Sequence, residues 1–183
     1  DELRVGLVTD VGRVDDGTFN QYAYEGLMRA AEEHNLDPQV IETESPDAYQ
    51  DNLEHLIEKG CNLVITVGSR TGPEVERVST RHSDVHFIVV DHEPSEESQN
   101  VTGLVFAEDQ AAYLAGALAG LVTRTDTVGF VGGPDVAPVR KFRRGFEHGL
   151  EQTDPRAELL DATSRSFTDQ DAGEEAGRAL VAQ

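Results

Sequence analysis

The feature that most constrains the fold is a regular alternation of short apolar runs with longer segments of helical periodicity. Near-continuous apolar runs such as "VHFIVVD" (residues 85–91) predict strands buried on both faces. Strands that alternate with helices in this way form parallel sheets, so the predicted fold class is α/β. The predicted strands are residues 3–9, 37–43, 62–68, 85–91, 101–106, 126–133 and 157–163, and the predicted helices are residues 18–35, 46–60, 72–82, 108–122, 137–152 and 169–183.

The chain of 183 residues is long enough for one or two lobes, each with its own core. It stops at Gln183 inside a helical pattern, where the repeating unit predicts a further strand, so we expect it to be truncated. Cys61 is the single cysteine, which excludes an intrachain disulfide and a cysteine-based zinc site. No apolar run approaches the roughly 20 residues that a membrane-spanning helix needs.

The charge is strongly negative, with 35 acidic residues, 15 basic residues and a formal net charge of −20. This balance disfavours nucleic acids and anionic membrane surfaces as partners. Of the basic residues only Lys59 and Lys141 are lysines. Many acids with few lysines are typical of halophilic proteins, in which dissolved salt screens the self-repulsion of the surface.

Acidic side chains follow several of the predicted strands. Asp10, Asp91 and Glu108 come at or just after strand ends, where ligands of open parallel sheets bind. A rim of carboxylates suits hydroxyls, amines or cations rather than phosphates. The chain also lacks the GxGxxG dinucleotide fingerprint and the GxxxxGK[ST] phosphate loop, and its third strand ends in "TVGS" without a phosphoacceptor aspartate.

Two adjacent aspartates stand in the loop before the first helix. Asp15 and Asp16 are expected to shape the turn and cap the helix, with Thr18 and Gln21 forming a capping box. A divalent metal held by Asp10, Asp15 and Asp16 is an alternative. An enzyme is a minor alternative, since Ser69, His86 and Asp91 lack a nucleophile elbow.

One long stretch carries a resemblance to a known family. "VGLVTDVGRVDDGTFNQYAYEGL" (residues 5–27) closely resembles the opening of the basic membrane protein family, the substrate-binding lipoproteins of ABC transporters, which include purine nucleoside receptors. The segments "NVTGLVFAEDQAAYLAGALAG", "VGFVGGPDVAPVRKFRRGFEHGL" and "SRSFTDQDAGEEAGRAL" resemble later parts of the family in the same order.

The resemblance implies a type I periplasmic-binding-protein fold with two doubly wound parallel-sheet lobes that close on a ligand. The first lobe would be residues 1–106, and residues 107–183 would begin a second lobe that is incomplete in this chain. Phe106 and Glu108 would form the hinge. The implied ligand-binding residues are Asp10, Phe19, Asn20 and Phe167, with Phe19 and Phe167 as two aromatics that sandwich a purine. Asp91 is added as a ligand-binding residue because it ends the fourth predicted strand, facing the same cleft.

The implied function is that of an extracytoplasmic binding protein that delivers a nucleoside to an ABC permease, without cofactor, metal or catalysis. A lipid anchor outside this chain would hold it on the cell surface at the cytoplasmic membrane. A ligand-sensing regulatory domain of the same fold is an alternative, as is binding of another small polar solute.

Overall fold

The computed structural model describes residues 2–183, and the chain divides into two compact units. The first unit runs to Phe106 and the second begins at Ala107. Each predicted strand and helix is present with the predicted type, and the α/β class is confirmed. Among the helices of residues 2–183, none combines the length and apolar character required to cross a bilayer.

The first unit is built around a parallel sheet in the order β2-β1-β3-β4-β5. Its strands are β1 (Val5–Val11), β2 (Gln39–Thr43), β3 (Leu63–Val67), β4 (His86–Val90) and β5 (Val101–Leu104). Its helices are α1 (Phe19–His34), α2 (Tyr49–Glu58) and α3 (Gly72–Ser79), and a 3₁₀ turn at Pro46–Ala48 precedes α2. The fifth strand is two residues shorter than predicted, and the Val105 and Phe106 side chains that follow it are about half exposed.

Helices cover both faces of this sheet, because successive strand residues point to opposite sides. On one face Leu53 of α2 and Val78 of α3 pack with the strand residues Val8, Val64 and Phe87. The other face packs Leu27 of α1 against residues that include Leu7 and Val67. The sheet is therefore doubly wound, as the resemblance implies.

The second unit contains a parallel pair of strands, β6 (Thr127–Gly132) and β7 (Glu158–Thr163). Its helices are α4 (Glu108–Val122), α5 (Ala137–Thr153) and α6 (Gln170–Val181).

The α4 and α5 backbones cross in direct contact through glycines. A Cβ atom at Gly116 would lie 1.9 Å from the Phe146 carbonyl oxygen, and one at Gly145 would lie 2.2 Å from the Asp109 carbonyl oxygen. Only glycine allows helices to approach this closely.

Candidate functional site

The strand order of the first unit defines where a ligand can bind. The chain passes from β1 to β2 on one side of β1, and β3 lies on the other side. The carboxyl ends of β1 and β3 therefore frame the topological switch point, where open α/β sheets bind their ligands. Asp10 lies near the end of β1, and the segment from Gly68 to Arg70 follows β3.

Three side chains meet at this switch point. Arg70 Nη2 donates to both carboxylate oxygens of Asp10, at 3.0 Å to Oδ1 and 3.1 Å to Oδ2. The Tyr49 hydroxyl, from the start of α2, donates to Asp10 Oδ1, as does the Val11 N–H at 2.7 Å. Burial raises the pKa of Tyr49, and its bond to Asp10 raises it further, so the phenol stays protonated and remains a donor.

A glycine makes room for this cluster. Gly68 has a φ of +91°, and a Cβ atom there would lie 2.8 Å from Asp10 Oδ2. Both the left-handed backbone and the space beside the carboxylate therefore require glycine at the end of β3.

Asn20 is buried, with 2% of its surface exposed, and its side chain joins the start of α1 to the end of β1. Its Oδ1 accepts the Asp10 N–H at 2.9 Å, and its Nδ2 donates to the Asp10 carbonyl oxygen at 3.4 Å. The Asn20 side chain, which the sequence predicted to contact the ligand, thus fixes the backbone of Asp10, a second predicted ligand residue.

The acidic loop before α1 has separate roles for its two aspartates. The Asp16 carboxylate accepts backbone N–H groups of Thr18 at 2.8 Å, Gln21 at 3.1 Å and Asn20 at 3.3 Å. Burial opposes ionisation of Asp16, but these hydrogen bonds outweigh it and lower its pKa. Asp15 pairs with Arg13 on the surface. The predicted cap by Asp16 is confirmed, whereas the predicted capping box is wrong because the Thr18 side chain accepts no capping hydrogen bond.

Phe19 is the first residue of α1, and its ring is 51% exposed. It contacts the ring of Phe106 edge to face, with centroids 6.3 Å apart. Phe19 directly precedes Asn20, whose side chain is bonded to Asp10, so this half-exposed ring belongs to the segment that borders the switch point. An exposed aromatic ring can stack on a planar ligand.

The remaining predicted residues lie at other strand ends. Asp91 follows β4 with a φ of +68°, and its N–H donates to the Leu104 carbonyl oxygen at 2.7 Å. In the second unit Phe167 lies in the loop after β7, 56% exposed. Its ring closely approaches Gly133, where a Cβ atom would lie 2.5 Å from the ring.

Glu108 begins α4 and is buried, with 4% of its surface exposed. Its Oε2 lies 3.6 Å from the Lys141 ammonium of α5. This ion pair joins the first turn of α4 to its neighbouring helix within the second unit, so Glu108 is held by its own unit.

The alternatives of a metal site or a triad find no support in these positions. Within residues 2–183 no three His, Cys, Asp or Glu side chains are grouped to hold a metal ion. His86 is the first residue of β4 and Asp91 follows its last, so the strand places them roughly 16 Å apart. The two side chains therefore cannot belong to one catalytic triad.

The sequence interpretation missed Arg70 and Tyr49. It identified Gly68 and Ser69 as the end of β3 but stopped one residue before the arginine. The available sign was a basic residue two positions after the predicted strand 62–68, in a chain with 15 basic against 35 acidic residues.

Comparison with known proteins supplies the family. The sequence model of the Bmp family, described as "ABC transporter substrate-binding protein PnrA-like", matches residues 3–183. The chain belongs to this family. The resemblance identified from the sequence is thereby confirmed, and the family is one of binding proteins rather than enzymes.

Curated relatives of this Bmp-family chain are similar along most of its length. Basic membrane protein A1 of Borrelia garinii subsp. bavariensis is 30% identical over 172 residues, which cover 93% of this chain and 50% of the relative. The ABC transporter nucleoside-binding protein BmpA of Lactococcus lactis subsp. cremoris is 27% identical over 183 residues, which cover 98% of this chain and 52% of the relative. The chain thus spans about half the length of these relatives.

A solved structure gives the fold of the Bmp-family chain. The crystal structure of an ABC transporter system solute-binding protein from Aeropyrum pernix K1 superposes with a TM-score of 0.86 at 25% identity. The match covers all of this chain and 53% of that protein. The fold is therefore that of a type I periplasmic binding protein.

Proposed function

We propose that this protein is the substrate-binding component of an ABC importer and that its ligand is a purine nucleoside. The observation that carries the proposal is the family match over residues 3–183, and a relative named as nucleoside-binding supports the ligand class. The permease would be its protein partner. No nucleic acid is expected to bind, given the net charge of −20.

The side chains at the strand ends suit such a ligand. Phe19 of the first unit and Phe167 of the second are each about half exposed and would stack on the base. Stacking of a base on an aromatic ring is worth about 1–3 kcal/mol. Asp10, whose backbone is held by the buried Asn20, and Asp91 after β4 would provide polar groups for the base and sugar edges.

Calorimetry on the full-length protein tests the ligand class. Adenosine, guanosine, inosine and free ribose would be titrated at high salt, and at least one nucleoside should bind far more tightly than ribose. Absence of heat with all three nucleosides would contradict the proposal.

The stacking role has its own test. Phe19→Ala should weaken nucleoside binding by about 5- to 150-fold, since a lost stacking contact of about 1–3 kcal/mol corresponds to that range. Tyr22→Ala is the matched control, because Tyr22 lies on the same helix and is 68% exposed. Equal affinities for the parent and the Phe19→Ala variant would rule out stacking by this ring.

We also propose an extracytoplasmic location, with a lipid anchor outside this chain at the cell surface. Fractionation of the source cells, followed by detection of the native protein, tests this. Recovery in the membrane fraction and release by detergent are expected. Recovery in the cytoplasm would instead favour a regulatory domain of the same fold.

A further inference from the structure

The segment by which the chain leaves the first unit contacts two of the predicted ligand residues. It follows β5, whose last residue, Leu104, is paired with Val90 at the end of β4. The Leu104 carbonyl oxygen accepts the Asp91 N–H at 2.7 Å, and the ring of Phe106 contacts the ring of Phe19. The sheet therefore fixes where this segment begins, and the segment supports both Asp91 and Phe19.

The two phenylalanine rings meet in an orientation that aromatic pairs prefer. Their centroids are 6.3 Å apart and their planes are inclined by 85°. An edge-to-face contact at this separation is favourable beyond the apolar area that it buries, because the positive edge of one ring meets the negative face of the other. Phe106 therefore favours one orientation of the Phe19 ring.

The Phe19 ring needs such support because of its place in the unit. It begins α1 and is 51% exposed, so the core surrounds only part of it. A side chain that is free to change rotamer has to be ordered when a ligand stacks on it, and this ordering lowers affinity. A ring that is already held in one orientation avoids this cost.

The inclination of the rings also separates their roles. A base that stacks on Phe19 lies nearly parallel to that ring, and hence nearly perpendicular to the ring of Phe106. Phe106 cannot stack on the same base. Its effect on the ligand is therefore exerted through Phe19.

We infer that Phe106 is a positioning residue for nucleoside binding, which holds the Phe19 ring in the plane on which a base stacks. The inference rests on the proposed function, because it adds a residue to that binding site. It gives Phe106, the last residue of the first unit, a role in affinity without contact with the ligand.

Calorimetry on the full-length protein gives the first test, with whichever of adenosine, guanosine and inosine the parent binds most tightly. Phe106→Leu keeps apolar bulk but removes the ring, and it should weaken binding by about 2- to 12-fold, which corresponds to the loss of one edge-to-face contact. Phe106→Tyr keeps the ring and should retain the parent's affinity. Val105→Ala is the matched control, because Val105 is the preceding residue and is 52% exposed.

A double-mutant cycle distinguishes positioning from direct contact. In a Phe19→Ala protein the ring that Phe106 holds is absent, so adding Phe106→Leu should cause no further loss of affinity. A direct contact of Phe106 with the ligand, or a general disturbance of the unit, would cost the same in both backgrounds. An equal loss in the two backgrounds would therefore overturn the inference.

The outcomes separate this inference from the proposed function. Equal affinities of the parent and the Phe106→Leu variant would overturn the inference and leave the proposed function standing, whereas absence of binding of all three nucleosides to the parent would overturn both. Circular dichroism would verify that each variant is folded. If Phe106→Leu does not fold, Phe106→Met takes its place in both tests, since methionine also fills the position without a ring.

Discussion

At the residue scale, the switch point depends on a few positions with little tolerance for change. Asp10 is held on its backbone by the buried Asn20 and on its carboxylate by Arg70 and Tyr49. A half-buried ion pair contributes little stability on balance, but loss of one partner leaves the other charge poorly solvated. The cluster therefore serves to fix the geometry of the crevice more than to stabilise the unit.

Gly68→Ala tests how tightly this geometry is held. The φ of +91° and a Cβ position 2.8 Å from Asp10 Oδ2 both oppose a side chain. We expect a loss of about 1–3 kcal/mol in the free energy of unfolding, measured by urea titration.

The matched control for this variant is Gly26→Ala in α1. A Cβ atom there has no neighbour within 4 Å, so alanine should stabilise the helix by up to about 1 kcal/mol. A Gly68→Ala protein as stable as the parent would show that the end of β3 can relax away from Asp10.

At the element scale, the sequence was sufficient to predict the strands and helices but not their neighbours in space. Short apolar runs predicted each strand that the structure describes in residues 2–183. Periodicity does not predict which strands are neighbours. It is the pairing of β3 with β1 that brings Arg70 to Asp10. Tyr49 was missed for the same reason, since it precedes β3 in the chain and reaches Asp10 only through the packing of α2.

The start of α1 gives a prediction with a defined pH dependence. Asp16→Ala removes the acceptor of three backbone N–H groups and should cost about 1 kcal/mol of unfolding free energy at pH 7. The pKa of Asp16 is lower in the folded protein than its ordinary value, so its contribution is present above about pH 4 and is lost as the pH falls through the folded value.

Urea titrations of parent and variant at pH 7 and pH 3 measure this effect, and the difference between them should narrow at pH 3. Asp15→Ala is the control, because Asp15 only pairs with Arg13 at the surface and should change stability by less than about 0.5 kcal/mol. A difference between parent and Asp16→Ala that is unchanged at pH 3 would argue against capping by the carboxylate.

At the scale of the whole molecule, the net charge of −20 predicts a stability that depends on salt. Self-repulsion opposes the compact state, and dissolved ions screen it. The Tm should rise between 0.1 M and 2 M KCl by at least about 5 °C, which corresponds to roughly 1–2 kcal/mol for a chain of this size.

A variant with less negative charge shows how much of the rise in Tm comes from screening of charge repulsion and how much from the general stabilising effect of concentrated salt. Glu93, Glu96 and Glu97 lie exposed in the connector between β4 and β5. Replacing all three by lysine makes the net charge more positive by two units per residue, from −20 to −14. Scanning calorimetry of the variant should show a smaller rise of Tm with KCl. An equal rise of Tm with KCl in the parent and the variant would show that charge repulsion does not cause the dependence of stability on salt.

The glycine crossing of α4 and α5 has a mechanical consequence. Where backbones touch at Gly116 and Gly145, no side chain lies between the helices that could bend or change rotamer to absorb a displacement. Glu108, one residue after Ala107, is tied to α5 by Lys141. A displacement of the connecting chain at Ala107 would therefore move both helices together, and α4 and α5 would act as one rigid element.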